Sequence, residues 1–201
     1  NAELVGGDLT RSDSLVINVT ALGSLGGSGA PLTLDGARAG QKLVAHGKIG
    51  YSGAGLALLQ RYGRALPPEL DELWPLIDAH CAPTLAPGRG VIARATGSTA
   101  MTDNSDGLVR DVGHLAERSG VRIDFDRGAI APDPLVAAAG AVLGIDPWEW
   151  VLAGGEDHTL LATTFKAAPS GFREIGRVVR GTGVTIDGEE PRYSEGWEGF
   201  A

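Results

Sequence analysis

Residues 99–125, TAMTDNSDGLVRDVGHLAERSGVRIDF, carry the reading of the fold. Thr99 to Asp103 has the composition of a short strand. Asp106 to Ser119 reads as an amphipathic helix, because Leu108, Val112, Leu115 and Ala116 recur at i, i+4, i+7 and i+8 and share one face. Gly120 stands where a helix-ending glycine belongs. Val121 to Phe125 then resumes as a strand. An acidic turn thus sits between a strand and the helix that follows it.

Outward from this unit the alternation continues. Gln41–His46, His158–Thr164, Arg173–Val179 and Val184–Asp187 read as strands. Ser52 is placed to cap a helix ending near Gly63, and Pro67-Pro68 open another in which Pro75 is a kink or early stop. Pro134–Leu143 is an alanine-rich helix, and Pro147 opens a further short one. Helices packed on a sheet make the fold α/β or α+β. No repeat of fixed period is visible.

The start is different. Leu15–Leu22 (LVINVTAL) is rich in β-branched residues and reads as a strand. Two short strand-like segments without a covering helix cannot make an independent domain. Residues 1–30 are therefore expected to be the C-terminal remnant of an N-terminal α+β domain, and 31–201 a C-terminal α/β domain. The glycine-serine stretch Gly23–Pro31 is the boundary.

Composition narrows the chemistry. A formal net charge of −8 argues against a nucleic-acid binder, whose affinity comes from neutralising phosphates with basic side chains. No apolar run approaches the roughly 20 residues of a membrane span. Cys81 is the sole cysteine, which excludes an internal disulfide and fits a reducing, cytoplasmic setting. The 31 glycines are about twice the usual share. P-loop and dinucleotide fingerprints are missing. Asp103–Gly107 resembles a calcium loop, but its glycine comes one residue early and His114 stands where the bidentate glutamate should be. The four histidines show no metal-ligand spacing.

Three acidic clusters in glycine-rich turns remain: Gly6-Gly7-Asp8, Asp103-Asn104-Ser105-Asp106-Gly107, and Gly154-Gly155-Glu156-Asp157. Each has an ordinary reading, as a turn, a helix cap or solvated acids. In the second, however, Asp103 ends a strand and Asp106 begins a helix, so both face the crevice where such folds bind ligands. Carboxylates there can hold Mg²⁺, and free helix N–H groups together with the Ser105 hydroxyl suit phosphate oxygens. An acidic chain can bind a polyanion when cations stand between them.

The motifs GGD-x-T-R, T-D-N-S-D-G-L-x-x-D-x-x-H-L-A-x-x-S-G-V and G-G-E-D-x-x-L-L resemble thiamine-monophosphate kinase, in the same order and across essentially the whole chain. That family falls in the superfamily of aminoimidazole ribonucleotide synthetase and selenophosphate synthetase. The resemblance implies a homodimeric enzyme that transfers the γ-phosphoryl group of ATP to thiamine monophosphate. It implies Asp8, Asp103 and Asp106 as magnesium ligands, with Asp103 and Asp106 catalytic. It implies Gly7, Asp8 and Ser105 at ATP, and Glu156, Trp197 and Phe200 at the thiamine moiety. Leu34 stands where the family usually has an arginine, Gln41 replaces an aspartate, and His158 replaces a common tyrosine. The family's further metal loop is not among these 201 residues, so the chain is expected to be an inactive piece of the enzyme. Two alternatives stand beside the kinase: another ATP-dependent synthetase of the superfamily, and a non-catalytic binding or dimerisation fragment.

Overall fold

The computed structural model describes residues 3–26 and 29–197. Six strands form a single sheet: β1 (Lys42–His46), β2 (Ala100–Asn104), β3 (Arg122–Phe125), β4 (Thr159–Thr164), β5 (Arg173–Val179) and β6 (Gly183–Ile186). Their spatial order is β2-β4-β1-β5-β3-β6, and every pairing is antiparallel except β3 with β6. The class is therefore mixed α+β. Six helices accompany the sheet: α1 (Tyr51–Tyr62), α2 (Trp74–Cys81), α3 (Arg89–Ala95), α4 (Leu108–Ser119), α5 (Pro134–Leu143) and α6 (Pro147–Ala153).

Strand alternation sorts the side chains. Leu43, Ala45 and Leu161 point into the main core with Ile123, Phe125 and Ile175, under Leu108, Val112 and Leu115 of α4. Val44 and Ala162 face the other way and pack with Ala93 of α3 and Phe172. A third cluster joins Leu58 of α1, Leu76 and Ile77 of α2, Val136 of α5 and Trp150 of α6. Helices α1 and α2 meet closely at Gly55, where a Cβ would lie 2.1 Å from the Leu76 carbonyl oxygen. Among the described residues no helix is long and apolar enough to cross a membrane.

Several expectations need correction. Residues 3–26 contain no regular element and are exposed throughout, so the strand expected over Leu15–Leu22 does not form. A strand needs a neighbouring edge, and none lies beside it. Helix α4 begins at Leu108 rather than Asp106, because Gly107 (φ 131°) turns the chain before it. Ser52 is no cap: Gly50 holds that position, and the buried Ser52 hydroxyl pairs with His80 Nδ1 at 2.9 Å. Pro75 stops nothing. Residues Pro68–Leu73 form a 3-10 turn, and Pro75 lies in the first turn of α2, where a missing N–H costs no helical bond. Helix α3 had no sequence signal strong enough to anticipate it. Gln41 is 1% exposed; it accepts the Arg38 N–H at 2.7 Å and donates to Thr99 Oγ1 at 2.8 Å, a buried structural post.

Candidate active site

The turn after β2 is built around a carboxylate. Asp111, one turn inside α4, reaches back so that its Oδ2 accepts the N–H groups of Ser105, Asp106 and Gly107 at 3.0, 3.0 and 3.1 Å. Those donors would otherwise be orphans at a helix start. Burial, reinforced by the nearby Asp106 charge, raises the Asp111 carboxyl, while the N–H bonds oppose that rise. Neither Asp106 nor Ser105 is therefore the helix cap. Both side chains are left to project from a shaped turn.

The G-G-E-D segment closes onto the same turn. Glu156 N–H donates to the Ser105 carbonyl and His158 N–H to the Asn104 carbonyl, each at 2.8 Å. Neither glycine has room for a side chain, Gly155 because of this contact and Gly154 because of its own helix. A Cβ on Gly155 would lie 2.2 Å from Ser105 O, and one on Gly154 2.3 Å from Trp150 O. Glu156 (φ 62°) and His158 (φ 51°) both adopt left-handed backbone, which is costly for residues with side chains and persists only where surrounding contacts impose it. The tail adds a third strand of contact: Trp197 N–H donates to the Asp106 carbonyl at 2.9 Å. Two consecutive carbonyls, Ser105 and Asp106, thus receive the acidic loop and the tail.

Side chains gather accordingly. His158 lies between Asp103 (Nδ1 to Oδ2, 3.3 Å) and Glu156 (Nε2 to Oε2, 3.5 Å). Asp157 turns the other way. It accepts the N–H groups of Gly50 and Ser52 at 2.6 and 2.8 Å, with Asn104 Nδ2 at 3.3 Å, and so caps α1 from a distance. Removal from water pushes its carboxyl up to about 6 despite those donors. Beside this rim opens a cavity of about 640 Å³ whose walls include Lys48, Tyr51, Ala79, Leu85, Arg89 and His158. The Lys48 ammonium stands 4.8 Å from the Tyr51 ring centroid and donates to its hydroxyl at 3.2 Å, which keeps the amine protonated.

The structure brings together Asp103, Ser105, Asp106, Glu156 and the Trp197 backbone. It does not bring Gly7 or Asp8 to them. Both lie in the exposed segment 3–26, where Asp8 accepts the Thr10 hydroxyl at 3.1 Å and a Cβ on Gly7 would meet nothing within 4 Å. Phe200 lies outside the described residues. Among the described residues no three His, Cys, Asp or Glu side chains already form a metal cage. Asp103 at the end of β2 and Asp106 in the turn after it nevertheless supply a donor set that suits Mg²⁺, which usually takes one or two carboxylates and completes its shell with water and phosphate oxygens. Asp111 and Asp157 build the site through backbone hydrogen bonds, a role that the D-G-L-x-x-D and G-G-E-D motifs carry in letters but that residue spacing does not reveal.

No family model matches the chain. Curated relatives do. The chain is 62% identical over 203 residues to the thiamine-monophosphate kinase of Corynebacterium glutamicum, covering all of this chain and 61% of that protein. It is 44% identical over 201 residues to the thiamine-monophosphate kinase of Mycobacterium tuberculosis, covering 99% of this chain and 58% of that one. Among solved structures it resembles AaThiL complexed with AMPPCP and TMP, with a TM-score of 0.72 and 34% identity, over 84% of this chain and 54% of that one. The chain spans about three fifths of the length of the curated relatives it matches. Along its whole length the chain is thus similar to thiamine-monophosphate kinases in sequence, and its fold agrees with a solved member of that group.

Proposed function

We propose that this chain forms the acceptor side of an enzyme that phosphorylates thiamine monophosphate to thiamine diphosphate at the expense of ATP, by in-line transfer assisted by Mg²⁺. Residues 31–201 are the second domain of that enzyme, residues 1–30 belong to its first, and the active form is a cytoplasmic homodimer, as the resemblance implies. The observation that carries the reading is the convergence of Asp103, Ser105, Asp106 and Glu156 on one turn in a chain 62% identical to a named kinase.

The chemistry needs little from the protein besides placement. Donor and acceptor are both phosphate anions, and Mg²⁺ would offset their repulsion and draw charge from the transferring group. Asp103 and Asp106 would hold that cation from the strand end and the turn. Ser105 offers its hydroxyl to a phosphate oxygen, and Gly7 and Asp8 border ATP from the first domain, with Asp8 a third metal ligand. The acceptor phosphate is nucleophilic at neutral pH, so no strong general base is required. The cavity beside Tyr51 supplies apolar wall for the substrate's ring system, and Glu156 with the aromatic faces of Trp197 and Phe200 suits the cationic thiazolium.

The test is to incubate the full-length protein with thiamine monophosphate, ATP and Mg²⁺ and to follow thiamine diphosphate by chromatography. Product that depends on all three supports the reading. Calorimetric titrations of the same protein that stay silent toward thiamine phosphates and nucleotides would overturn it in favour of a non-catalytic module.

A further inference from the structure

Asp146 belongs to none of the acidic motifs, yet it touches two elements that meet at the site. As N-cap of α6 it accepts the Trp148 N–H on Oδ1 at 3.1 Å, and α6 runs directly into Gly154 at the head of the G-G-E-D segment. Its other oxygen, Oδ2, accepts the Tyr193 hydroxyl at 2.9 Å, with Arg192 Nη1 at 3.6 Å. Tyr193 is half-buried against the main core, four residues before Trp197. Between them Gly196 is pressed onto the acidic turn, where a Cβ would lie 2.3 Å from Asp106 O.

Trp197 itself is 72% exposed, so packing does little to fix its side chain. Besides the packing of Tyr193 and Gly196, two hydrogen bonds fix its position: its own N–H on the Asp106 carbonyl, and the Tyr193 hydroxyl on Asp146. The first holds a single backbone bond at the edge of solvent. The second is a hydrogen bond to a carboxylate, of the stronger kind. The Arg192 contact adds little, being exposed and long.

We propose that Asp146 is a positioning residue: through Tyr193 it latches the C-terminal tail to the helix that delivers Glu156, so that Trp197 and Glu156 approach the substrate from adjacent carbonyls of one turn. This rests on the reading that Glu156 and Trp197 serve thiamine monophosphate. Asp146 touches no reacting atom. Its effect falls on binding of the acceptor rather than on the transfer step.

Two variants of the full-length protein test it. Tyr193→Phe removes only the hydroxyl, and Asp146→Asn keeps an N-capping side chain while weakening the bond to Tyr193. Both are expected to raise the KM for thiamine monophosphate roughly tenfold, with kcat and the KM for ATP nearly unchanged. Hydrogen exchange gives an independent readout, the Trp197 amide losing protection in both variants while amides inside α6 keep theirs. Unchanged protection at Trp197 overturns the latch whatever the substrate. Faster exchange with an unchanged KM overturns its role in binding the acceptor. Should the wild-type protein fail to phosphorylate thiamine monophosphate, the reading of function falls, and the exchange result still decides the latch.

Discussion

Gly6-Gly7-Asp8 and Gly154-Gly155-Glu156-Asp157 are written in nearly the same letters, and the molecule uses them in opposite ways. The first lies in an exposed segment, with open space where a Gly7 side chain would go. The second is jammed against the turn after β2, with Ser105 O occupying the place of a Gly155 side chain. Asp8 bonds to a hydroxyl two residues away, whereas Asp157 caps a helix 105 residues upstream through the Ser52 N–H. A glycine-acid motif is informative only through the surface it closes against. In the second case that surface is the neighbouring turn, and in the first it would have to be supplied by whatever packs on residues 3–26.

The largest expected effect compares Asp8 with the turn against which the second motif closes. In the full-length protein, Asp103→Asn should cut thiamine diphosphate formation on the order of 100-fold or more while leaving the melting temperature nearly unchanged. Asp8→Asn, at the proposed third metal ligand, should do the same. Full activity in Asp8→Asn would leave the constellation with only its two folded members. Next comes the glycine contrast. Gly155→Ala forces a methyl into a carbonyl and should destabilise by about 1–3 kcal/mol, seen as a lower denaturation midpoint. Gly7→Ala should leave that midpoint where it is, and equal losses from both would erase the distinction.

Asp111→Asn should cost about 1–3 kcal/mol, because Ser105, Asp106 and Gly107 lose a charged acceptor for their N–H groups. Activity should fall with it, since Asp106 loses its footing; a stable variant of normal activity would mean that the turn holds its shape unaided. The last effect is one of pH. Burial raises the Asp157 carboxyl from 3.8 to about 6. The folded chain then keeps a proton that the unfolded chain has released, so stability declines as pH climbs between those two values and levels off above them. Asp157→Asn should flatten that decline in urea midpoints taken across the interval. A slope as steep as that of the wild type would show that another group carries it.

Much of the fold was legible. The helix carrying Leu108, Val112, Leu115 and Ala116 was readable because its core face repeats at helical spacing, and α5 and β5 were expected at their observed bounds. Short or composite elements escaped. Helix α3 is seven residues without a regular apolar stripe, and the α2 region begins as a 3-10 turn that a 3.6-residue period cannot describe. Leu15–Leu22 shows the reverse failure: strong β-propensity says what a segment would do beside a partner and nothing about whether the partner is there. At the site, Asp103, Ser105, Asp106 and Glu156 were legible as motif letters, whereas Asp111, Asp157 and Asp146 work through hydrogen bonds to distant backbone.

Residue spacing by itself determined the longer helices and most strands from residue 41 onward, the acidic character of the turns and the kinases to which the chain is similar, since those follow from local periodicity and residue order. Only the tertiary structure decided that the sheet is almost wholly antiparallel, that Ser105 and Asp106 lend their carbonyls to Glu156 and Trp197, and that Asp157 turns away to the start of α1. Such matters depend on which backbone groups meet across tens of residues. Hydrogen bonds and close packing at that range are satisfied only once the whole chain has collapsed.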